Sequence, residues 1–442
     1  VGDINGDGVD DLLVGAFQAN KLIPVADGET STSTITPFHL DDETDEKIGS
    51  GVAYLFYGPL VSQSSLTDAD AILMGDAASD TIGRSLSGRG DFDGDGLGDI
   101  AIGGMHLDFE GHDSGGILLI LDVPQGTSSI MDSAFTIEGD VATGHFGAAL
   151  DAAGDVDGDG LDDLLVAAHL VNEEGTTGRV TLLSGAQLSD APPASSCSVA
   201  DLSPIHWTAE AEGDYLGRAV SGAGDVNGDG LADLVMAAPL SRTVGLFGGA
   251  VYVVLGPAET GGPITTAAAA TWRGEAGYSL GSWVSGAGDL DGDGYADISV
   301  GAYKDSTVDT DMGSLFVMSG GNQLPQSLDE AASQLVGAES EDRFGFRSDG
   351  VGDLDGDGFD DLVVGAPTSH NRAGMVAVYF GSADGVSEVP ELLWIGESEG
   401  DLFGFPAYAG DLNGDGVPDL LLSAPGFNNA RGTSYLLSGA SL

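Results

Sequence analysis

The chain has 442 residues, 71 of them acidic and 13 basic, for a formal net charge of −58. Such a surface repels nucleic acid and anionic membrane, and no apolar run approaches the length of a membrane span. A single cysteine, Cys197, excludes a disulfide scaffold. With only three lysines (Lys21, Lys47 and Lys304), the composition suggests a saline habitat in which salt screens self-repulsion. Length alone suggests two or three domains. An internal repeat overrides that prior and assigns residues 1–442 to one closed architecture.

The first element is an acidic loop, Gly-Asp-x-(Asp/Asn)-Gly-Asp-Gly-x-x-Asp. It recurs seven times, at 3–11, 91–99, 155–163, 225–233, 289–297, 353–361 and 411–419. Each copy offers oxygen at alternate positions. The first residue is Asp3, Asp91, Asp155, Asp225, Asp289, Asp353 or Asp411. The third is Asn5, Asp93, Asp157, Asn227, Asp291, Asp355 or Asn413, and the fifth Asp7, Asp95, Asp159, Asp229, Asp293, Asp357 or Asp415. The seventh offers its backbone carbonyl: Val9, Leu97, Leu161, Leu231, Tyr295, Phe359 or Val417. The ninth closes the loop with Asp11, Asp99, Asp163, Asp233, Asp297, Asp361 or Asp419.

Hard oxygen donors on a glycine-punctuated turn are what Ca²⁺ selects, so up to seven Ca²⁺ are expected, one per repeat. Glycines such as Gly292 and Gly294 let the backbone wrap an ion by adopting positive φ. An EF-hand shares the opening but needs a bidentate Glu at position twelve. Here that position holds Val14, Ile102, Val166, Met236, Val300, Val364 or Leu422, all apolar. An ion-free acidic turn is the alternative, which seven intact ligand sets disfavour. Seven divalent ions would offset about a quarter of the net charge.

A strand follows the first loop from Asp11, and then comes an insertion over 17–50 that carries the acidic run Asp41–Glu46. A loop of that length is either functional or a mobile insertion. Successive first aspartates lie 88, 64, 70, 64, 64 and 58 residues apart, a spacing suited to a four-stranded blade. The stretch 189–203, rich in Ala, Pro and Ser, reads as a loop insertion. The sixth repeat is the least interrupted. A short strand from Phe344 to Asp353 leads into the loop, and an apolar strand runs from Asp361 to Pro367. A third strand spans Gly374–Gly381, and a fourth spans Leu393–Glu397. Four strands without helical periodicity make one antiparallel blade.

Phe-Gly at Phe146, Phe344 and Phe403 (Leu-Gly at Leu216 and Leu280, Ile-Gly at Ile82), the acidic loop and Gly365-Ala366-Pro367 together resemble FG-GAP repeats. These are the blades of the integrin α-subunit N-terminal propeller, found also in glycosylphosphatidylinositol-specific phospholipase D and many bacterial surface proteins. The Gly-Ala-Pro element is degenerate elsewhere, as at Ala167-Ala168-His169. The resemblance covers essentially the whole chain. It implies an all-β, seven-bladed β-propeller of four-stranded antiparallel blades, with calcium loops in the strand 1–2 hairpins and all on one face. Fold does not fix activity.

Seven loops but six Phe-Gly-type strands leave one strand missing on each side of the closure seam. An upstream segment before Val1 is expected to supply both, with a strand donated by another chain as the rarer alternative. The chain opens on Val1 without a signal-like segment, consistent with processing or truncation.

Ligand binding is expected on the face opposite the loops. The hairpins at Met105–Asp113, Ser241–Phe247, Tyr303–Asp311 and His370–Arg372 reach that face, and connections such as Glu339–Asp342 make its rim acidic. A cationic or neutral ligand, protein or carbohydrate, fits an acidic rim better than an anion. His106 and His112 flank Asp108 and Glu110 and could hold a transition metal, although solvated loop residues are the simpler reading. His145, His169 and His370 read as surface or packing residues, and no nucleophile elbow or zinc-protease motif occurs. Arg89-Gly90-Asp91 spells an adhesion tripeptide, but Asp91 is a loop ligand. Trp207, Trp272 and Trp394 share a fourth-strand position and are read as packing between blades, and Trp283 as structural near the axis. Cys197 has no mark of reactivity.

The leading function is a non-enzymatic, calcium-stabilised extracellular binding or adhesion module. The alternatives are a polysaccharide-active enzyme on a propeller scaffold and a structural subunit of an extracellular assembly. An enzyme acting on acidic polysaccharide needs Arg with His or Tyr converging near the axis, and the scattered arginines show no such cluster in sequence.

Overall fold

The computed structural model describes all residues except 18–49, 61–67, 76–79, 110–111, 122–125, 130–133, 174–175, 190–191, 193–194, 307–308 and 431. Most of the insertion expected at 17–50 therefore lies outside the described residues. Seven small sheets follow one another around an axis, numbered here as blades one to seven by the acidic loop each contains. Blade six shows the unit: Arg347–Gly350, Leu362–Ala366, Met375–Tyr379 and Leu392–Ile395, hydrogen-bonded in that order and antiparallel throughout. The expected four strands are all present, each a residue or more shorter than the sequence pattern suggested.

The strict four-stranded expectation needs correcting at four blades. Blades one, two and three each carry an added outer strand, Gly126–Ser129, Ser195–Ser198 and Gly262–Pro263, and all three pair in parallel. Each comes from the next blade's connection between its third and fourth strands and reaches back to cover an exposed sheet edge. The 189–203 stretch is thus partly strand, and Cys197 sits half-buried in it with its thiol pushed up by burial. Blade seven has three strands, Phe405–Gly410, Asp419–Ala424 and Thr433–Leu437, and the sheet of blade one begins at Leu12–Ala16.

Strand alternation splits each strand between two cores. In blade four, Ala250, Tyr252 and Val254 pack with Leu165, Val180 and Trp207 of blade three. Their neighbours Val251 and Val253 pack with Trp272 and with Val300 and Phe316 of blade five. Trp207 and Trp272 are fully buried and Trp394 joins the core between blades six and seven, which bears out the packing role expected of all three.

The Phe-Gly and Gly-Ala-Pro elements form one contact. Phe146 and Phe344 are 1 % exposed and plug the gap to the preceding blade. A Cβ on Gly365 would lie 2.1 Å from the carbonyl oxygen of Gly404, so glycine is required where the first of these elements crosses the second. The residue just before each plug has positive φ whatever its type: Thr81, His145, Tyr215, Ser279, Arg343 and Leu402. The recurrence makes this backbone state part of the blade-to-blade turn, and the turn decides which side chains reach the axis.

Candidate functional site

In blades two to seven the acidic loop lies between the first and second strands, as the family resemblance implies, and in blade one it precedes the first strand of the sheet, Leu12–Ala16. Within each loop, backbone N–H groups fix the carboxylates in place. Asp3 accepts from Gly6 (2.7 Å), Asp7 (3.1 Å) and Gly8 (2.7 Å), Asn5 accepts from Asp7 (3.0 Å), and Asp7 accepts from Val9 (3.0 Å). The same ladder recurs in the fifth loop, where Asp289 accepts from Asp293 and Gly294 and Asp293 accepts from Tyr295. Gly292 and Gly294 have φ of +72° and +90°.

The closing aspartates are at most 1 % exposed. Asp297 Oδ2 accepts from Leu290 N–H (3.0 Å) and its Oδ1 from Gly320 N–H (3.0 Å), which ties the loop to the end of the third strand. Burial, reinforced by the other loop carboxylates, pushes Asp99 up to about 8 and Asp163, Asp297 and Asp361 up to about 7. Oxygens of Asp91, Asp93 and Asp99, and of Asp289, Asp291 and Asp297, converge within 4.8 Å of one another. An all-oxygen donor set on a preformed turn, with like charges that a divalent cation would neutralise, fits a hard ion such as Ca²⁺.

Sequence reasoning missed how these loops join. The eighth-position N–H of each loop donates to the first-position carbonyl of the loop before it: Gly98 to Asp3 (3.0 Å), Asp162 to Asp91 (3.1 Å), Ala232 to Asp155 (2.9 Å), Ala296 to Asp225 (3.0 Å) and Asp360 to Asp289 (3.1 Å). Asp10 closes the ring onto Asp411 (3.2 Å). Where the eighth residue is Asp, its carboxylate also accepts the first residue's N–H: Asp162 from Asp91 (3.0 Å), Asp360 from Asp289 (2.8 Å) and Asp10 from Asp411 (2.8 Å). The exception is Pro418, which has no N–H to give Asp353. Seventh-position side chains add packing, since a Cβ on Gly228 would lie 2.5 Å from the Tyr295 ring and one on Gly292 2.5 Å from that of Phe359. One loop therefore buttresses the next.

Inner strands converge closely on the axis. A Cβ on Gly222 would lie 2.9 Å from Ala152 O, one on Gly286 2.7 Å from Gly222 O, and one on Gly350 2.7 Å from Ala287. At the loop end, a cavity of about 360 Å³ includes Arg89 and Tyr408. The Arg89 guanidinium stacks 4.0 Å from the Tyr408 ring and lies 4.0 Å from Asp349, so the Arg89-Gly90-Asp91 tripeptide is divided between axis and loop. Asp151 accepts from Ser221 Oγ (2.8 Å) and Gly222 N–H (3.2 Å), and burial pushes it up to about 6.

The opposite end differs from expectation. A cavity of about 490 Å³ is lined by Arg84, Arg218, His145, His169, Tyr215 and Tyr303, with Met105, Ser279, Ser282 and Phe346 among the remainder. Arg347, which opens the inner strand of blade six, stacks 3.8 Å over Trp283, and burial with the charges of Arg218 and Arg84 pulls it down to about 10. Trp283 thus carries an arginine as well as donating to Ser348 O (2.7 Å). The cluster judged absent from the sequence exists because residues far apart in the chain start inner strands that meet at one axis. Gly83-Arg84 and Gly217-Arg218 directly follow an apolar plug, and that repeated position was the legible signal. The rim is acidic only in part: Glu339, Glu341, Asp342 and Glu399 share an outer depression with Arg343, His370 and Arg372.

His145, read from the sequence as a surface or packing residue, lines the axial cavity. Its ring lies 4.6 Å from His106 and 5.9 Å from His169, which lies 6.5 Å from Tyr215. Burial and neighbouring cations hold His145 low and take His169 to about 3, so both imidazoles are neutral at neutral pH. The suggested histidine–acid loop group reorganises. His106 Nδ1 meets Asp113 (3.0 Å), and His112 meets Asp108 (3.4 Å) and Asp113 (3.2 Å), while Glu110 lies outside the described residues. No helix among the described residues is long and apolar enough to cross a membrane.

Comparison with known proteins agrees with this architecture. The FG-GAP repeat family matches residues 1–35, 146–183, 216–254 and 280–318, and the FG-GAP-like repeat matches 353–422. Integrin alpha-V of Gallus gallus is 31 % identical over 232 residues, covering 49 % of this chain and 20 % of its own length. Integrin alpha-PS2 of Drosophila melanogaster is 34 % identical over 235 residues (50 % and 15 %), and integrin alpha-5 of Xenopus laevis 32 % over 182 residues (38 % and 16 %). The matched region spans a fifth or less of each relative. Among solved structures, the Dos1 propeller aligns with a TM-score of 0.44 at 8 % identity, over 88 % of this chain and 72 % of its own. The V. cholerae biofilm matrix protein Bap1 aligns at 0.33 and 20 % identity, over 70 % and 38 %. The chain belongs to the FG-GAP repeat family of integrin-α-like β-propellers.

Proposed function

We propose that the protein is an extracellular binding or adhesion module braced by up to seven Ca²⁺, with its ligand on the face opposite the acidic loops. The observation that carries the calcium reading is the buried closing aspartate, present in all seven loops and surrounded by further preorganised oxygens. A divalent cation offsets the burial and the like-charge repulsion that raise these carboxyls, and the loop-to-loop hydrogen bonds spread that stabilisation around the ring. Millimolar free calcium is an extracellular condition, and similarity to integrin α-subunits supports that placement and a binding role. A protein or carbohydrate array probed with calcium, and again in excess chelator, tests the reading. Calcium-dependent retention of a ligand class is expected, and retention unaffected by the chelator would contradict a calcium-braced site.

A second reading, a polysaccharide-active enzyme, is favoured by the cavity shared by Arg84, Arg218, His145, His169 and Tyr215. Binding takes precedence because, among the described residues, His169 Nδ1 is buried without a hydrogen-bond partner, whereas a catalytic imidazole is held in position by a third group. New reducing ends after incubation with acidic oligosaccharides would reverse this order.

A further inference from the structure

In a chain with ten arginines and 71 acidic residues, carboxylates are everywhere available to pair with a guanidinium. Yet among the described residues no carboxylate pairs within 4.0 Å with Arg84, Arg218 or Arg347. Burial and the neighbouring charge of Arg218 lower the basicity of Arg84, and burial with the charges of Arg218 and Arg84 lowers that of Arg347. Unpaired like charges held together at a cavity cost stability unless they have another use. Arg84 and Arg218 are exposed within the cavity, and Arg347 sits behind them on Trp283.

We propose that the axial cavity opposite the acidic loops binds a saccharide residue carrying one carboxylate, with Arg84 and Arg218 receiving the carboxylate. Planar guanidinium forks match a carboxylate in bidentate geometry. The other lining groups suit a sugar rather than an acidic peptide. Neutral His145 offers one donor and one acceptor nitrogen and His169 its Nε2, the Ser282 hydroxyl, which donates to Gly301 O (3.2 Å), keeps lone pairs to accept, and Tyr215 and Tyr303 supply apolar ring faces. A hydroxyl-rich ring satisfies these groups together, whereas a lone Asp or Glu side chain leaves most of them unpaired. The volume, about 490 Å³, lies within the usual range of small-ligand sites. The net charge of −58 excludes a dense polyanion, which the surrounding surface repels, and favours a terminal or branch sugar acid.

This inference rests on the binding-module reading and is tested separately from it. Titration calorimetry of the calcium-loaded protein would use trigalacturonate, its uncharged methyl ester, an acidic Asp/Glu peptide and inorganic sulfate. Trigalacturonate should bind, the ester about tenfold more weakly or worse, and Arg84→Gln or Arg218→Gln should each lower affinity about tenfold or more. Arg372→Gln, on the outer depression, should change little. Because Arg84 and Arg218 are exposed and removing one relieves like-charge repulsion, melting temperature in calcium should not fall, which separates loss of the site from loss of the fold. Equal binding of the ester, tighter binding of the peptide, binding of sulfate alone, or full affinity in both arginine variants would overturn the proposal. Failure of all four probes with calcium-dependent melting intact would sink this inference while leaving the calcium reading in place.

Discussion

Asp151 gives the sharpest energetic prediction. It lies on the inner strand of blade three, accepts from Ser221 and Gly222 on the next blade, and has its carboxyl pushed up to about 6 chiefly by burial. A raised carboxyl pKa means that the fold favours the protonated form. The associated stability is complete below the unfolded value near 4 and is lost as pH rises through about 6. A shift of about two units corresponds to about 3 kcal/mol, but Asp151 is half-buried and open to water along the axis, which reduces this to about 1–2 kcal/mol. Asp151→Asn keeps an acceptor for both hydrogen bonds and does not titrate. Denaturant unfolding of wild type and variant, both saturated with calcium, cancels the contribution of the loops. The stability of Asp151→Asn relative to wild type should rise by about 1 kcal/mol between about pH 5 and about pH 7.5. A difference independent of pH, or one that moves toward wild type, would refute the argument.

Two other substitutions probe the ring. Gly286→Ala places a Cβ 2.7 Å from Gly222 O, a backbone atom with little room to move, and should cost about 1–3 kcal/mol in chemical unfolding. Asp360→Ala removes the acceptor of the Asp289 N–H while leaving every proposed ion ligand in place, and should cost about 1–3 kcal/mol. Asp360→Asn should recover most of that loss, and equal losses in the two variants would contradict the hydrogen-bond assignment.

Much of the fold was legible because it repeats. Each loop ends in an aspartate that must be buried, and each plug is an apolar residue followed by glycine, so local chemistry announced the blades. The added outer strand at Ser195–Ser198 was not legible, since its Ala, Pro and Ser surroundings carry no alternation and its partner edge lies in the preceding blade. The axial cluster was hidden for a topological reason. Arg84 and Arg218 are 134 residues apart in sequence, and only ring closure brings their strands to one cavity. The eighth loop position was overlooked because its main contribution is a backbone N–H, which any residue but proline supplies.

The central claim, that Ca²⁺ in the seven loops braces the ring, is tested most directly by thermal unfolding in millimolar calcium and in excess chelator. The account predicts a large fall in melting temperature on chelation, restored by adding calcium back, because ions bound only by the folded ring stabilise it by mass action. An unchanged melting temperature in excess chelator would contradict it.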